Sequence, residues 1–319
     1  MAASPLRLPA PVRPSPSPVA TDRLPDRLRA AWAANPPLAL VGLGTLALAI
    51  PFVVGVFADP RIITGAPAWL KPAKFAVSIG VYSLTLIWFL SFVAGRRRLV
   101  SAVSWGTAVA FLLEIAIIGL QAGRGTTSHF NEATPLDGAL FGVMGVAILV
   151  VWVMGLVAAI LLLRQRVAPS SLAWAIRLGI VGALVGMVAA IPMVAGLQAH
   201  AVGVVDGGRG LPVVGWSTEG GDLRAGHFVG LHAMQALPLL AWVLARFAPA
   251  WLDERRRALL VGVAGAAWIG LGLLLTWQAL RAQPIVAPDA TTLAALGALL
   301  ATAAVATAAV VVPARRVAR

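Results

Sequence analysis

The chain has 319 residues, of which 60% are hydrophobic and 12% charged, with a mean hydropathy of +0.89 and a formal net charge of +13. That is too apolar for a soluble domain, and several apolar runs reach the ~20 residues needed to cross a bilayer. It has no cysteine, which excludes disulfides, thiolate metal sites, iron–sulfur clusters and covalently attached c-type haem.

In hydrocarbon every backbone polar group needs an internal partner, so the apolar runs must be helices. The expected fold class is all-α: a polytopic integral membrane bundle of about eight transmembrane helices. Residues 1–36 are rich in Pro, Ala, Ser and Arg without apolar periodicity. They read as a disordered cytoplasmic tail with a short amphipathic turn near 28–33. The membrane domain covers 37–313, with apolar segments near 37–57, 75–94, 102–122, 138–163, 172–197, 227–247, 258–279 and 291–312. A short basic cytoplasmic tail, 314–319, follows. Asp289, Thr291 and Thr292 predict the start of the last helix, and Pro313 its stop.

Basic residues set the expected orientation. With the N-terminus inside, 18 of the 25 Lys and Arg residues fall on the cytoplasmic side, so both termini are expected there. These charges punctuate the ends of apolar runs and form no basic domain. Membrane lipids are therefore the expected partners, and nucleic acid is not. Arginine outnumbers lysine 23 to 2. The two lysines, Lys71 and Lys74, sit at the outer start of the second helix, against the charge trend. Snorkelling to headgroups is the plain explanation; the sharper one is that a compact ammonium suits an anionic ligand.

Inner loops are short and arginine-rich, whereas the outer ones are longer and chemically mixed. Residues 60–73 are expected along the outer interface before the second helix begins. Gly138–Gly142 and Gly182–Gly186 are pairs that let helix backbones approach. Pro51, Pro192 and Pro238 are expected to kink their helices.

Two outer stretches concentrate polar chemistry. The loop from Gln121 to Asp137 carries Arg124, Thr126, Thr127, Ser128, His129, Asn131 and Glu132. Glu114 lies two turns before Gln121 on the same helix face. A carboxyl at that depth needs a partner, a proton or a wet cavity. The second stretch is GHFVGLHAMQ, residues 226–235. His227 is expected to cap a helix beginning near Phe228, and His232 to point inward with Gln235 at i+3 beside it. All four histidines, including His200, fall on the outer side.

No known catalytic motif is matched. Thr127-Ser128-His129 is the nearest approach to the SGH-like element of phosphatidate-type phosphatases, and its flanking spacing does not fit. Haem-converting membrane enzymes carry histidines on separate helices and cysteines in outer loops, a pattern this chain lacks.

The reading is an outward-facing polar pocket acting on a lipid or small polar ligand. Glu114, His129 and His232 are the candidate catalytic groups. Lys71, Lys74, Gln121, Arg124, Asn131, Arg224 and Gln235 would bind substrate, the basic ones orienting an anionic group. His129, Glu132, Asp137, His227 and His232 are candidate ligands for zinc or iron, which suit imidazole and oxygen donors. One alternative is electron transfer by haem b between two histidines from different helices. Another is a non-catalytic binder or transporter, against which the lack of an internal repeat tells.

Overall fold

The computed structural model describes residues 24–317, so the expected tail before Leu24 and the last two residues lie outside the described chain. It is nearly all-α, and eight of its helical spans are long and apolar enough to cross a membrane. A short helix α1 (Leu24–Ala34), longer than the expected turn, leads into α2 (Pro36–Ala58). Then come α3 (Leu70–Leu90), α4 (Arg97–Gly123), α5 (Pro135–Leu163) and α6 (Ser170–Val188). The chain closes with α7 (Leu223–Phe247), α8 (Glu254–Leu280) and α9 (Ala290–Val317). Two small hairpins lie at one end of the bundle: β1 (Ile62–Ile63) with β2 (Ala66–Pro67), and β3 (Ala201–Val202) with β4 (Gly221–Asp222).

Helix starts follow capping chemistry. Side chains of Asn35, Thr134, Asp222 and Asp253 accept from free amides of the first turn, and Pro36 and Pro135 occupy positions where no amide donor is needed. Asp289 starts α9 as expected, accepting from the Thr292 amide. Pro313 does not stop it, and the helix continues to Val317.

Two other starts differ from expectation in ways that matter for the site. Helix α3 begins at Leu70 rather than 75, because Pro72 is tolerated in a first turn. Trp69 before it is fixed by its Nε1–H, which donates to Asp59 at 2.7 Å, and by stacking on Phe52. Lys71 is therefore a first-turn residue of α3 and Lys74 lies just beyond that turn, and only 59–69 remain as a loop. Helix α7 begins at Leu223, four residues early, because Asp222 caps it. Pro192 does break its helix: α6 ends at Val188, and a π-helical turn at Met193–Leu197 follows.

The helices group as two halves, α2–α5 and α6–α9, each packed mainly within itself. They join through α5 against α6 and through one apolar core, where Ile176, Ile180, Ala183 and Met234 meet residues of the first half. Gln235 on α7 also donates to Thr85 on α3 at 2.9 Å. The Gly182–Gly186 pair does what its spacing predicts. A Cβ on Gly186 would stand 2.7 Å from the Gly230 Cα, so α6 and α7 touch backbone to backbone. Gly138 and Gly142 differ, with nothing within 4 Å of their Cβ positions.

Candidate functional site

The end of the bundle carrying the hairpins also carries the loops 124–134 and 198–222. In the first loop most candidate binding residues hold the loop itself. The Asp137 carboxylate accepts from Gln121 at 2.8 Å, Arg124 at 2.6 Å and Thr134 at 2.6 Å. Asn131 donates to Thr126 and to the Thr127 carbonyl and accepts from the Ala133 amide. This network presents His129, whose Nδ1 is 3.1 Å from the Ser128 hydroxyl and whose ring packs against Phe75, Phe130 and Phe141.

The second loop folds across the first half. Lys74 donates to the Val213 and Val214 carbonyls at 3.2 Å, so it ties this loop down. Arg224 is likewise engaged, with the Asp222 carboxylate at 2.8 Å and the Gly215 carbonyl at 2.6 Å. Gly207, at φ +90°, takes a left-handed turn that a side chain would strain, and its backbone presses on Thr64.

A left-handed turn at Gly203, φ +80°, lies between His200 and Asp206 and brings the carboxylate back onto the ring. Asp206 accepts from the His200 and Ala201 amides and lies 2.7 Å from His200 Nδ1. A carboxylate only accepts, so the ring proton sits on Nδ1 and Nε2 is left as an acceptor. Burial pushes Asp206 up, yet its hydrogen bonds from His200 and Ala201 hold it well below the usual carboxylate range. Burial lowers His200 despite the opposing pull of Asp206, and the ring is neutral near pH 7. His129 is lowered further, by burial and then by the charges of Lys71 and His200. The two imidazoles face each other across the halves, with ring centroids 6.3 Å apart.

Beneath them lie Lys71 and Glu114. Glu114 is 1% exposed, and neither carboxyl oxygen has a hydrogen-bond partner. Gln121, two turns along the same face, is fully buried too. Lys71 is half-buried, without a hydrogen-bond or close ion-pair partner among the described residues, and interacts electrostatically with Arg224, Glu114, Lys74 and Asp206. An ammonium and a carboxyl without hydrogen-bond partners among the described residues thus lie in the same region as two imidazoles, each tied through Nδ1 alone.

Other expected site residues are not part of this group. His227 was expected at the water edge and His232 facing inward, and the structure reverses them. With α7 starting at Leu223, His227 turns inward and pairs through Nδ1 with the Gly186 carbonyl at 2.8 Å. His232 pairs with the Phe228 carbonyl of its own helix and stacks on the exposed Phe228 ring at 3.9 Å. Gln235 is taken by Thr85, and Glu132 is exposed.

The expected ligand set for zinc or iron is not assembled. Among the described residues no three His, Asp or Glu side chains converge as metal ligands. The haem alternative asked for histidines on two different helices; His227 and His232 share α7, while His129 and His200 lie in loops. A groove of about 680 Å³ between α4 and α5, lined by Trp105, Leu113, Val143 and Val146, is apolar and away from the cluster.

Sequence reasoning missed His200 with Asp206 as a pair. Its signal was a histidine followed six residues later by an aspartate, with Gly203 and Gly207 flanking the return. No protein-family model, curated protein or solved structure matches the chain.

Proposed function

We propose that this chain is a multi-pass membrane protein with both termini cytoplasmic, whose histidine-bearing end faces outward. At that end it binds a lipid or small polar molecule bearing an oxyanion and acts on it by general acid–base chemistry. The observation that carries the reading is an oriented imidazole, His200 on Asp206, near an amine, Lys71, that has no hydrogen-bond or ion-pair partner among the described residues. Lys71 orients the anionic group. His200 Nε2, neutral and held in one tautomer by Asp206, takes a proton from a water attacking the bound ester, and the imidazolium so formed gives that proton to the departing oxygen. His129 and Glu114 complete the polar surroundings of that step. Arg124, Arg224, Lys74, Gln121, Asn131 and Asp137 shape the loops around them.

The test is turnover of phosphodiester and acyl-ester reporters by the purified protein in lipid nanodiscs. His200→Gln and Asp206→Asn should each lower turnover by about 10²–10⁴, the usual contribution of a positioned acid–base group. Turnover unchanged in both variants sinks the acid–base assignment. A second reading, a non-catalytic binder or carrier, is favoured by one feature. Lys71, Glu114 and His129 belong to the first half and His200, Asp206 and Arg224 to the second, so the cluster lies where the two halves meet, as a carrier's site does. Binding without turnover, with flux into vesicles, supports that reading.

A further inference from the structure

We propose that His129 and His200 form a two-coordinate site for a soft monovalent metal ion, copper(I), held where the two halves of the bundle meet. Binding needs only the two rings and is independent of the acid–base reading above.

The ring spacing fits an ion between them. The centroids are 6.3 Å apart, with planes 29° from parallel. Rings in direct contact come closer, as Phe228 and His232 do at 3.9 Å. Two imidazoles on opposite sides of one ion, at metal–nitrogen bonds of ~2 Å, have centroids about 6 Å apart. A tetrahedral ion would draw the same centroids in to about 5 Å.

Each ring is also held as a ligand would be. His200 donates from Nδ1 to Asp206 at 2.7 Å, and His129 Nδ1 lies 3.1 Å from the Ser128 hydroxyl. Neither Nε2 has a hydrogen-bond partner among the described residues. A tie at one ring nitrogen, with the other left for the ion, is how proteins orient a histidine ligand. Both rings are partly exposed, so a small ion can reach them. The backbone is strained on both sides of the pair: Phe130 takes φ +55° and Gln198 φ +47°, left-handed conformations that such side chains rarely adopt. Phe130 thereby sets its ring 6.1 Å from His129 and 4.9 Å from His200.

The surroundings choose the ion. Phe75, Phe130 and Phe141 pack against His129 and offer no donor atom. Asp206 is taken by His200 and two backbone amides, and among the described residues no third His, Asp or Glu completes a set with the pair. Zinc in a structural site takes four ligands. Imidazole suits copper, and the filled-shell copper(I) ion is stable with two opposed nitrogens and carries the least charge into an aromatic pocket. The ion and a proton compete for the same His200 lone pair, so Nε2 holds one or the other.

The test is anaerobic titration of the full chain in zwitterionic lipid nanodiscs with copper(I), kept reduced by ascorbate, against a coloured cuprous chelator. The chain has no cysteine, so no thiolate competes. The expected result is one ion withdrawn from the chelator per chain. His129→Phe and His200→Phe should each weaken binding by about a hundredfold or more, and Asp206→Asn, which loosens the outer tie, by about 10–100-fold. His232→Ala should bind as the wild type does. X-ray absorption of the loaded wild type should show two nitrogen ligands and no sulfur, a result that decides even if a variant fails to fold. A wild type that takes no copper(I) from the chelator, or whose bound ion shows sulfur or further ligands, overturns the proposal. Equal losses in His129→Phe and His232→Ala overturn the assignment to this pair, and displacement of the copper by equimolar zinc overturns the choice of ion.

Discussion

His129 and His200 stand with ring centroids 6.3 Å apart and planes 29° from parallel, although 71 positions of chain separate them. One belongs to the loop between α4 and α5 in the first half and the other to the segment between α6 and α7 in the second. Phe130 seals the contact, 4.9 Å from the His200 ring. This contact joins the two halves at the cluster.

Both imidazoles have folded-state pKa values below the usual histidine value, burial being the leading cause. Between those lowered values and about 6.5 the unfolded chain binds more protons than the folded one. Stability therefore rises with pH through this window and is lost as pH falls below about 6.5. The melting temperature in detergent should drop between pH 7 and pH 5. His129→Phe, which keeps the aromatic packing, should flatten part of that drop. A profile equally steep in the variant contradicts the assignment of His129.

Gly186 and Gly142 both carry the spacing of close helix contact, and only one uses it. Gly186→Val should separate α6 from α7 and destabilise the protein by about 1–3 kcal/mol, the usual cost of overpacking. Gly142→Ala should leave the melting temperature unchanged or raise it slightly, since nothing lies within 4 Å of its Cβ position. Equal losses in the two variants contradict the packing described.

Glu114 contributes nothing visible to the fold, because neither of its oxygens is bonded to protein. Glu114→Met has similar volume and leaves no partner stranded, so it should melt at the same temperature as the wild type or higher. A fall of several degrees would identify Glu114 as a structural group and remove it from the site.

The orientation is open to labelling because the chain has no cysteine. Val205→Cys, at an 86% exposed position of the 198–222 loop, should react with an impermeant thiol reagent on intact cells. Arg97→Cys, at the opposite end of the bundle, should react only after permeabilisation. The reverse pattern inverts the topology.

What the sequence made legible follows from the range over which each signal acts. The eight spans were readable because a run of about 20 apolar residues has one stable state in a bilayer. Glu114 stood out because a carboxyl at that depth is rare, and its two-turn spacing from Gln121 put both on the buried face, as found. The roles of His227 and His232 came out reversed because one capping residue was misplaced. Asp222, not the stretch near Phe228, starts α7, and the local ties of each ring follow from the bundle it then enters. Lys71 and Lys74, expected at the outer start of the second helix, came to lie inside α3 for a similar reason, a proline accepted inside the first turn. His200 with Asp206 was out of reach, since the chain reversal joining them depends on a left-handed backbone angle at Gly203 that no periodicity encodes. Arg124, Arg224 and Lys74 were legible as basic residues at the right end, but not as ties already satisfied by the loops.

The most direct test of the central claim, an oxyanion site built on Lys71, is equilibrium binding of dimethyl phosphate to the protein in zwitterionic nanodiscs at pH 6. Wild type, Lys71→Gln and the exposed-surface control Arg209→Gln would be compared, the last removing an arginine with an 86% exposed side chain. Both substitutions of charge act alike if binding is a diffuse surface effect. The account predicts wild-type affinity in Arg209→Gln and at least tenfold weaker binding in Lys71→Gln, a loss of about 1.4 kcal/mol or more. Binding that is the same in Lys71→Gln as in the wild type would contradict it.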